Sequence, residues 1–455
     1  MSYGTASTGT AAAQKASHTR YLIVFMLFMS TAINYADRST LPFAGPALTK
    51  ELGLDPVAFG WALSSFGWTY VLAQLPSGWL LDRFGTKRVY TASLVLWSVF
   101  TFLQGFVFGF GIVPAIAVIF ALRMMVGLAE APSFPGNARI VAAWFPTAER
   151  GTASAIFNSA QYFQTVLFAG LMGWLVQDVG WRWVFFVMGG IGLGFALIWL
   201  KLVHGPKRHP WANAAELAEI EAGGALVTIE QPAPRSTEPA GVQFRRVLAD
   251  LGQLLRNRML LGVYIGQYCI TTLTYFFITW FPSYLVQARG LSILKAGFVA
   301  ALPAICGFIG GVLGGLFSDF LLRRGFSLTV ARKTPIVLGM LLSMVMIACN
   351  YLDTDWLIVA TMSLAYFGKG VGALGWAVVS DTAPKQISGL SGSLFNMFGN
   401  TAAITTPIVI GYIVKNTGSF DGALIFVGAN ALIAVFCYLV IVGEIKRVEL
   451  VRSPA

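Results

Sequence analysis

Charge is scarce in this chain: Asp, Glu, Lys and Arg make up only 11% of its 455 residues, against 56% hydrophobic ones. That balance excludes an ordinary water-soluble globule. Histidine is rarer still, and His18, His204 and His209 lie in the N-terminal tail and one loop, so no histidine metal cluster can form. The four cysteines, Cys269, Cys306, Cys349 and Cys437, all fall within apolar runs and show no CxxC spacing. Neither a disulfide framework nor a zinc site is indicated, and small buried packing residues are the better reading. No nucleophile–base constellation stands out. The expectation is therefore a protein without enzyme activity, cofactor or metal.

What the sequence does have is length of apolar run. Stretches longer than about 18 residues, enough to cross a bilayer, recur along the whole chain. Twelve spans are expected, near 21–46, 57–81, 88–109, 112–136, 151–176, 181–203, 259–286, 294–322, 333–352, 356–381, 388–414 and 421–443. The division is a tail (1–20), a six-helix bundle (21–203), a polar linker (204–258), a second six-helix bundle (259–443) and a C-terminal tail (444–455). The first apolar run carries Asp37-Arg38 and no small-residue cleavage site, so it reads as a retained helix, not a signal peptide. Within the linker a short amphipathic helix is expected around Ala214–Ala222, and the rest reads as an ordinary connection.

A net charge of +11 is compatible with nucleic-acid binding, but the basic residues sit in short loops, where they report topology. With the N-terminus inside, 23 of the 31 Lys and Arg fall on the cytoplasmic side. Lys50, Arg182, Arg289, Lys295 and Lys415 fall outside, and Arg38, Arg123 and Lys369 within the membrane. Both termini and the central linker are thus expected in the cytoplasm. An internal repeat supports six plus six: Pro146, Gly151, Phe157 and Asn158 recur at Pro384, Gly389, Phe395 and Asn396, a constant shift of 238. Gly78 and Asp82 recur at Gly315 and Asp319, a shift of 237. Duplicated parallel halves are one of the standard transporter builds. The fold class expected is an all-α membrane protein, twelve transmembrane helices in two pseudo-symmetric six-helix bundles.

Against this apolar background a few charges stand out. Arg123, Gly127 and Glu130 are spaced by four and three residues on one face of the fourth helix. Asp37-Arg38 interrupts the first helix in the same way. Ionisable side chains in hydrocarbon are unfavourable and usually face a polar pathway. The plainer alternative is a pair of salt bridges that pins two helices. Lys369, inside Gly368-Lys369-Gly370-Val371-Gly372, adds a cation in the second half, either for an anionic cargo or for helix packing by snorkelling. The run Gly370-Val371-Gly372-Ala373-Leu374-Gly375 spells GxGxxG but follows no strand, so the dinucleotide-binding context is missing. Gly307, Gly311 and Gly315 form a small-residue face for close packing. Pro132 and Pro135 are expected to bend or end the fourth helix, and Pro282 and Pro407 to kink theirs.

Gly78-Trp79-Leu80-Leu81-Asp82-Arg83-Phe84-Gly85-Thr86-Lys87-Arg88 resembles the loop between helices two and three of the major facilitator superfamily. There Gly78, Asp82, Arg83, Gly85, Lys87 and Arg88 would form a cytoplasmic gate, with Asp82 meeting a helix N-terminus near residues 388–390. Asn34-Tyr35-Ala36-Asp37-Arg38 and Arg123…Gly127-Leu128-Ala129-Glu130-Ala131-Pro132 resemble the anion:cation symporter branch. The runs 132–161 and 262–313 resemble its bacterial glucarate/galactarate (hexarate) proton symporters. That resemblance implies alternating-access import of a sugar diacid with protons by a monomer in the bacterial inner membrane, with lipid but no nucleic acid as partner. It implies that Asp37 and Glu130 bind the protons and that Arg123 holds one or the other in alternation. Arg38 would meet a substrate carboxylate, and Tyr35, Tyr70, Gln161, Trp376 and Asn396 would line the sugar site. The further role for Lys369, the second carboxylate of the cargo, follows from having one cation in each half. Alternatives are an organic-anion exchanger, a symporter for a monocarboxylate such as galactonate or a hexuronate, and, in a different class, a transport-like nutrient sensor.

Overall fold

The computed structural model describes residues 15–107, 112–146, 149–228, 240–384 and 387–449. All regular structure among them is helical. In the first half the spans are α1 (Thr19–Leu52), α2 (Pro56–Phe84), α3 (Thr86–Gln104), α4 and α5 (Ile112–Glu130, Ser133–Trp144), α6 (Arg150–Trp174) and α7 (Arg182–Leu202). In the second they are α10 and α11 (Arg258–Tyr275, Phe281–Ser283), α12 (Ile293–Arg323), α13 (Leu328–Ser343), α14 and α15 (Asp355–Val371, Gly375–Thr382), α16 and α17 (Ser388–Asn400, Ala402–Thr417) and α18 (Asp421–Phe436). Between the halves lie α8 (Ala214–Ala222) and α9 (Ala240–Arg256). These are twelve membrane crossings in two six-helix bundles, close to the expected boundaries. Eight are apolar enough to be identified by hydropathy alone. The four that are not, α1, α2, α3 and α6, are richer in polar side chains.

The interruptions have local causes. The fourth crossing breaks between Glu130 and Ser133, where Pro132 follows Ala131. The tenth breaks at 372–374, after Gly368, which packs it on α13, and Gly370, which packs it on α12. In the seventh, Pro282 lies between two π-helical turns, Phe276–Trp280 and Tyr284–Ala288, which absorb its missing N–H. Gly310 and Gly314 of α12 lie against the carbonyls of Phe367 and Val371, where no side chain would fit.

The linker differs from expectation in one respect: its second part is a 17-residue helix, α9, not an ordinary connection. Its first part is tied to the first half. The Glu216 carboxylate of α8 accepts the backbone N–H groups of Thr19 and Arg20, both at 2.9 Å, and the Ser17 hydroxyl at 2.5 Å. It therefore caps the start of α1 from about 200 residues away. Burial raises its pKa, but these hydrogen bonds outweigh that and hold it below the usual carboxylate range. Arg20 adds an ion pair to Glu219 at 2.7 Å.

The halves meet along α2 with α17 and α6 with α12. At the face opposite the termini the contacts are backbone to backbone: Gly60 on Pro407, Gly411 on Pro56, Gly173 on Ile293 and Gly297 on Ala169. Lys415 bridges to Asp55 at 2.8 Å across the same seam, and the Trp280 indole N–H donates to the Pro407 carbonyl at 3.2 Å. That face is sealed.

Candidate functional site

Arg38 stands at the centre. Its Nε donates to Glu130 Oε2 at 2.9 Å, with Arg38 only 3% exposed and Glu130 fully buried. The guanidinium also lies over three rings, Tyr35 and Phe66 at 4.7 Å and Tyr70 at 4.6 Å. Aromatic faces suit a weakly hydrated guanidinium and leave it no bulk water. One of its nitrogens, Nη2, is buried without a hydrogen-bond partner among the described residues, as is Glu130 Oε1.

Arg123 is placed differently from the expected alternation between carboxylates. Its two terminal nitrogens donate to the backbone carbonyls of Asp37 (3.3 Å) and Arg38 (3.4 Å). These are long, weak bonds, and they hold α4 against the middle of α1. Gly127, one turn on, lies against the Phe66 carbonyl of α2, so this face of α4 is tightly packed. The Asp37 carboxylate is fully buried, and neither of its oxygens has a hydrogen-bond partner among the described residues. An ionised carboxylate left so would be very unfavourable; the arrangement suits a protonated acid or one awaiting a partner.

The second half contributes through Asn396, which the sequence singled out, and through Tyr275 and Asn400, which it did not. The Tyr275 hydroxyl donates to Asn400 Oδ1 at 3.0 Å, and Tyr275 is within electrostatic reach of Arg38. Asn400 Nδ2 donates to Asn396 Oδ1 at 3.0 Å, and Asn396 Nδ2 donates to Gln74 Oε1 of α2 at 3.1 Å. A relay of amides and a phenol thus runs from one half to the other. Asn400 was within reach of sequence reasoning, since it lies four residues after Asn396 on the same helical face. Tyr275 and Gln74 carry no such signal.

Lys369, 4% exposed, donates to the Tyr162 hydroxyl of α6 at 3.1 Å. It also lies over the rings of Tyr162 and Tyr366, at 5.0 and 5.4 Å. Among the described residues no carboxylate lies within ion-pair distance of it, so a cation sits between the halves with hydroxyl and π-face partners. A narrow crevice passes Tyr366 and is lined from both halves, by Ser39, Gln164, Phe281 and Pro303 among others.

The remaining expected residues are more peripheral. Gln161 is half-buried and donates to Asn158 of its own helix at 3.1 Å. Trp376 is 49% exposed, with its ring edge-on to Phe395. In the gate loop Gly78 is half-buried, and Gly85 (φ +83°) closes α2 with its N–H on Leu81. Arg83 is exposed over Trp79 and Phe84, Arg88 is exposed, and Lys87 donates to the last carbonyls of α7 at Leu200, 3.0 Å. The side chains of Asp82, Ser388 and Gly389 lie outside the described residues, and with them the expected latch. In the second copy Asp319 is 3.8 Å from Arg332, which also pairs with Asp381 at 2.8 Å.

Two six-helix bundles meeting at buried acids, bases and tyrosines define a multi-pass membrane transporter for a small molecule, not an enzyme. The chain belongs to the Major Facilitator Superfamily, whose family model matches residues 27–331. A probable galactarate/D-glucarate transporter, GudP of Escherichia coli K12, is 62% identical over 98% of both chains. GarP of the same organism, named likewise, is 58% identical over 96% of this chain and 98% of that one. An E. coli O6:H1 D-galactonate transporter is 38% identical, covering 96% of this chain and 98% of its own length. The fold is shared with a crystal structure of a D-xylose–proton symporter, with TM-score 0.71 at 14% identity, covering 94% of this chain and 98% of that one.

Proposed function

We propose that this protein imports a sugar diacid, galactarate or glucarate, by proton symport through alternating access. The bundles 21–203 and 259–443 are the moving bodies, and both termini lie in the cytoplasm of a bacterial inner membrane. The observation that carries the reading is the buried Arg38–Glu130 pair beside the unpartnered Asp37 carboxylate. The names of the relatives at 56–62% identity support the cargo, and the excess of Lys and Arg in the terminal-side loops supports the orientation.

The geometry suggests how cargo and proton are linked. Arginine keeps its charge throughout, so only its partner can change. While Glu130 is ionised it occupies Arg38. Protonating Glu130 removes that competitor and leaves Arg38, already desolvated by three rings, for a substrate carboxylate. Asp37, adjacent in the chain and without a partner, is the second proton site, and Arg123 acts as the brace that fixes the α1 backbone beneath both. The Gln74–Asn396–Asn400–Tyr275 relay offers hydroxyl and amide groups to the polyol chain. Lys369 meets the far carboxylate, exchanging a phenol hydroxyl for an anion. The outward-opening step requires parting of the Gly60–Pro407 and Gly173–Ile293 contacts and the Asp55–Lys415 bridge.

Proteoliposomes loaded at higher internal pH test this. Labelled galactarate is expected to accumulate, an uncoupler to abolish the accumulation, and glucarate to compete better than galactonate. Accumulation that survives the uncoupler would point to anion exchange; galactonate as the stronger competitor would point to the monocarboxylate reading, which the 38% identical relative favours.

A further inference from the structure

Helix α9 carries a surface that the transport reading does not use. At about 100° per residue, Val247, Leu248, Leu251, Leu254 and Leu255 occupy a single arc roughly 120° wide. One edge of that arc is packed: Leu254 is 1% exposed and Leu251 half-buried where α9 rests on α10 and α16. The other edge is open, with Leu248 50% and Leu255 39% exposed; Val247 is 41% exposed and lies at an angle between Leu254 and Leu251, one turn before Leu251. Arg245 and Arg256, both exposed, lie roughly 60° and 80° beyond the open edge, while Asp250, half-buried, lies roughly 40° beyond the packed edge. An apolar strip bordered by arginines is the pattern of a helix lying in a membrane interface.

Its position in the chain supports the same occupant. Only Asn257 separates α9 from the membrane-crossing α10, and its side chain caps α10 by accepting the Leu260 N–H at 3.2 Å. The C-terminal end of α9 is therefore held at the boundary of the bilayer, and its open strip continues from a surface already in lipid. Arg258, the first residue of α10, is exposed and donates to the Val440 carbonyl at 3.1 Å, which adds a cation at the same level. The first part of the linker is different. It is fastened to protein through Glu216, and it presents Glu216, Glu219 and Glu221 within nine residues.

We propose that α9 is a membrane-surface anchor whose Val247, Leu248 and Leu255 enter the interface while Arg245 and Arg256 bind anionic phospholipid headgroups. The second half then rests on lipid through α9, whereas the first half is braced by α8. This is independent of the cargo, so it stands or falls apart from the proposed function.

The test uses the full-length transporter with its four native cysteines replaced, spin-labelled singly at 247, 248, 255, 249 and 253. It is reconstituted in vesicles of phosphatidylethanolamine with phosphatidylglycerol. Labels at 247, 248 and 255 are expected to be relaxed by dissolved oxygen and shielded from an aqueous nickel chelate, and those at 249 and 253 to show the reverse. Arg245→Gln with Arg256→Gln should reduce that contrast several-fold in these vesicles, while in phosphatidylcholine alone variant and parent should agree. Equal nickel access at all five positions would overturn the proposal. So would shielding of 247, 248 and 255 from both reagents, the sign of a protein covering. A contrast indifferent to the arginines and to lipid charge would overturn the headgroup assignment.

Discussion

Replacing Glu130 by glutamine separates binding from coupling, because the amide keeps an acceptor for Arg38 Nε at the 2.9 Å contact but cannot take up a proton. Alanine would be a poorer choice, since stripping a partner from a buried charge costs about 3–5 kcal/mol and risks the fold. The size of the effect follows from the two proton sites. Each coupled proton contributes about 1.36 kcal/mol, or tenfold accumulation, per unit of pH gradient. A dianion carried with two protons is electroneutral, so a one-unit gradient sustains a ratio of about 100 whatever the membrane potential. With the Glu130 proton lost the same cycle moves one net negative charge. An inside-negative potential of 100 mV then opposes it by about 2.3 kcal/mol, roughly 50-fold, against the tenfold that the remaining proton provides. Glu130→Gln should therefore show no net accumulation of galactarate in energised proteoliposomes, while counterflow exchange of labelled for unlabelled substrate continues near the parent rate. Accumulation at the parental ratio would refute the argument. Loss of counterflow together with uptake would show that Glu130 serves binding or the fold instead.

Three further outcomes are expected. Lys369→Met should lower galactarate uptake at least tenfold and spare a monocarboxylate sugar acid, measured by initial rates; equal losses would make Lys369 scaffold that happens to touch Tyr162. Gly60→Val introduces a side chain where the Pro407 carbonyl already lies, so it should pry the sealed face apart. A cysteine placed near that seam should then label several-fold faster from the outside, and unchanged labelling would deny that this contact closes the pathway. The Lys415 ammonium, by hydrogen bond, and the Ala58 N–H hold the Asp55 carboxyl below its ordinary range. Such a depressed group contributes in full above the unfolded value near about 3.9 and loses its contribution only as the pH falls through its folded value. Asp55→Asn should thus change the uptake rate but leave the shape of its pH profile between 5 and 8 as it was; a shifted profile would assign the titration to this bridge.

Much of this architecture is legible in the sequence because a bilayer imposes long apolar runs and confines charge. The twelve crossings and the Pro132 break follow from that, and so does the burial of Arg38, Arg123, Glu130 and Lys369. Pairing is another matter. Arg38 and Arg123 are both near two acids, and offsets along a helix do not say which arginine meets a carboxylate and which a backbone carbonyl; that depends on how α4 sits against α1. The Tyr275–Asn400 contact joins residues 125 apart, and nothing in the buried aromatic run around Tyr275 separates it from neighbours that only pack. Helix α9 escaped notice for a simpler reason. Its apolar strip is broken by arginines and is too short to resemble a span, so it reads as polar connection unless its period is counted.

The cap that Glu216 places on α1 bears on how the chain is made. Helix α1 bears Asp37 and Arg38, and the amides of Thr19 and Arg20 at its start are capped by a side chain 197 and 196 residues further along the chain. Until translation has passed Glu216, those amides are left to water or to whatever assists insertion. The first bundle therefore closes only after all six of its crossings have been synthesised and the linker has folded back over them, so a chain stopped at residue 203 would hold every helix of that half without the residue that finishes it.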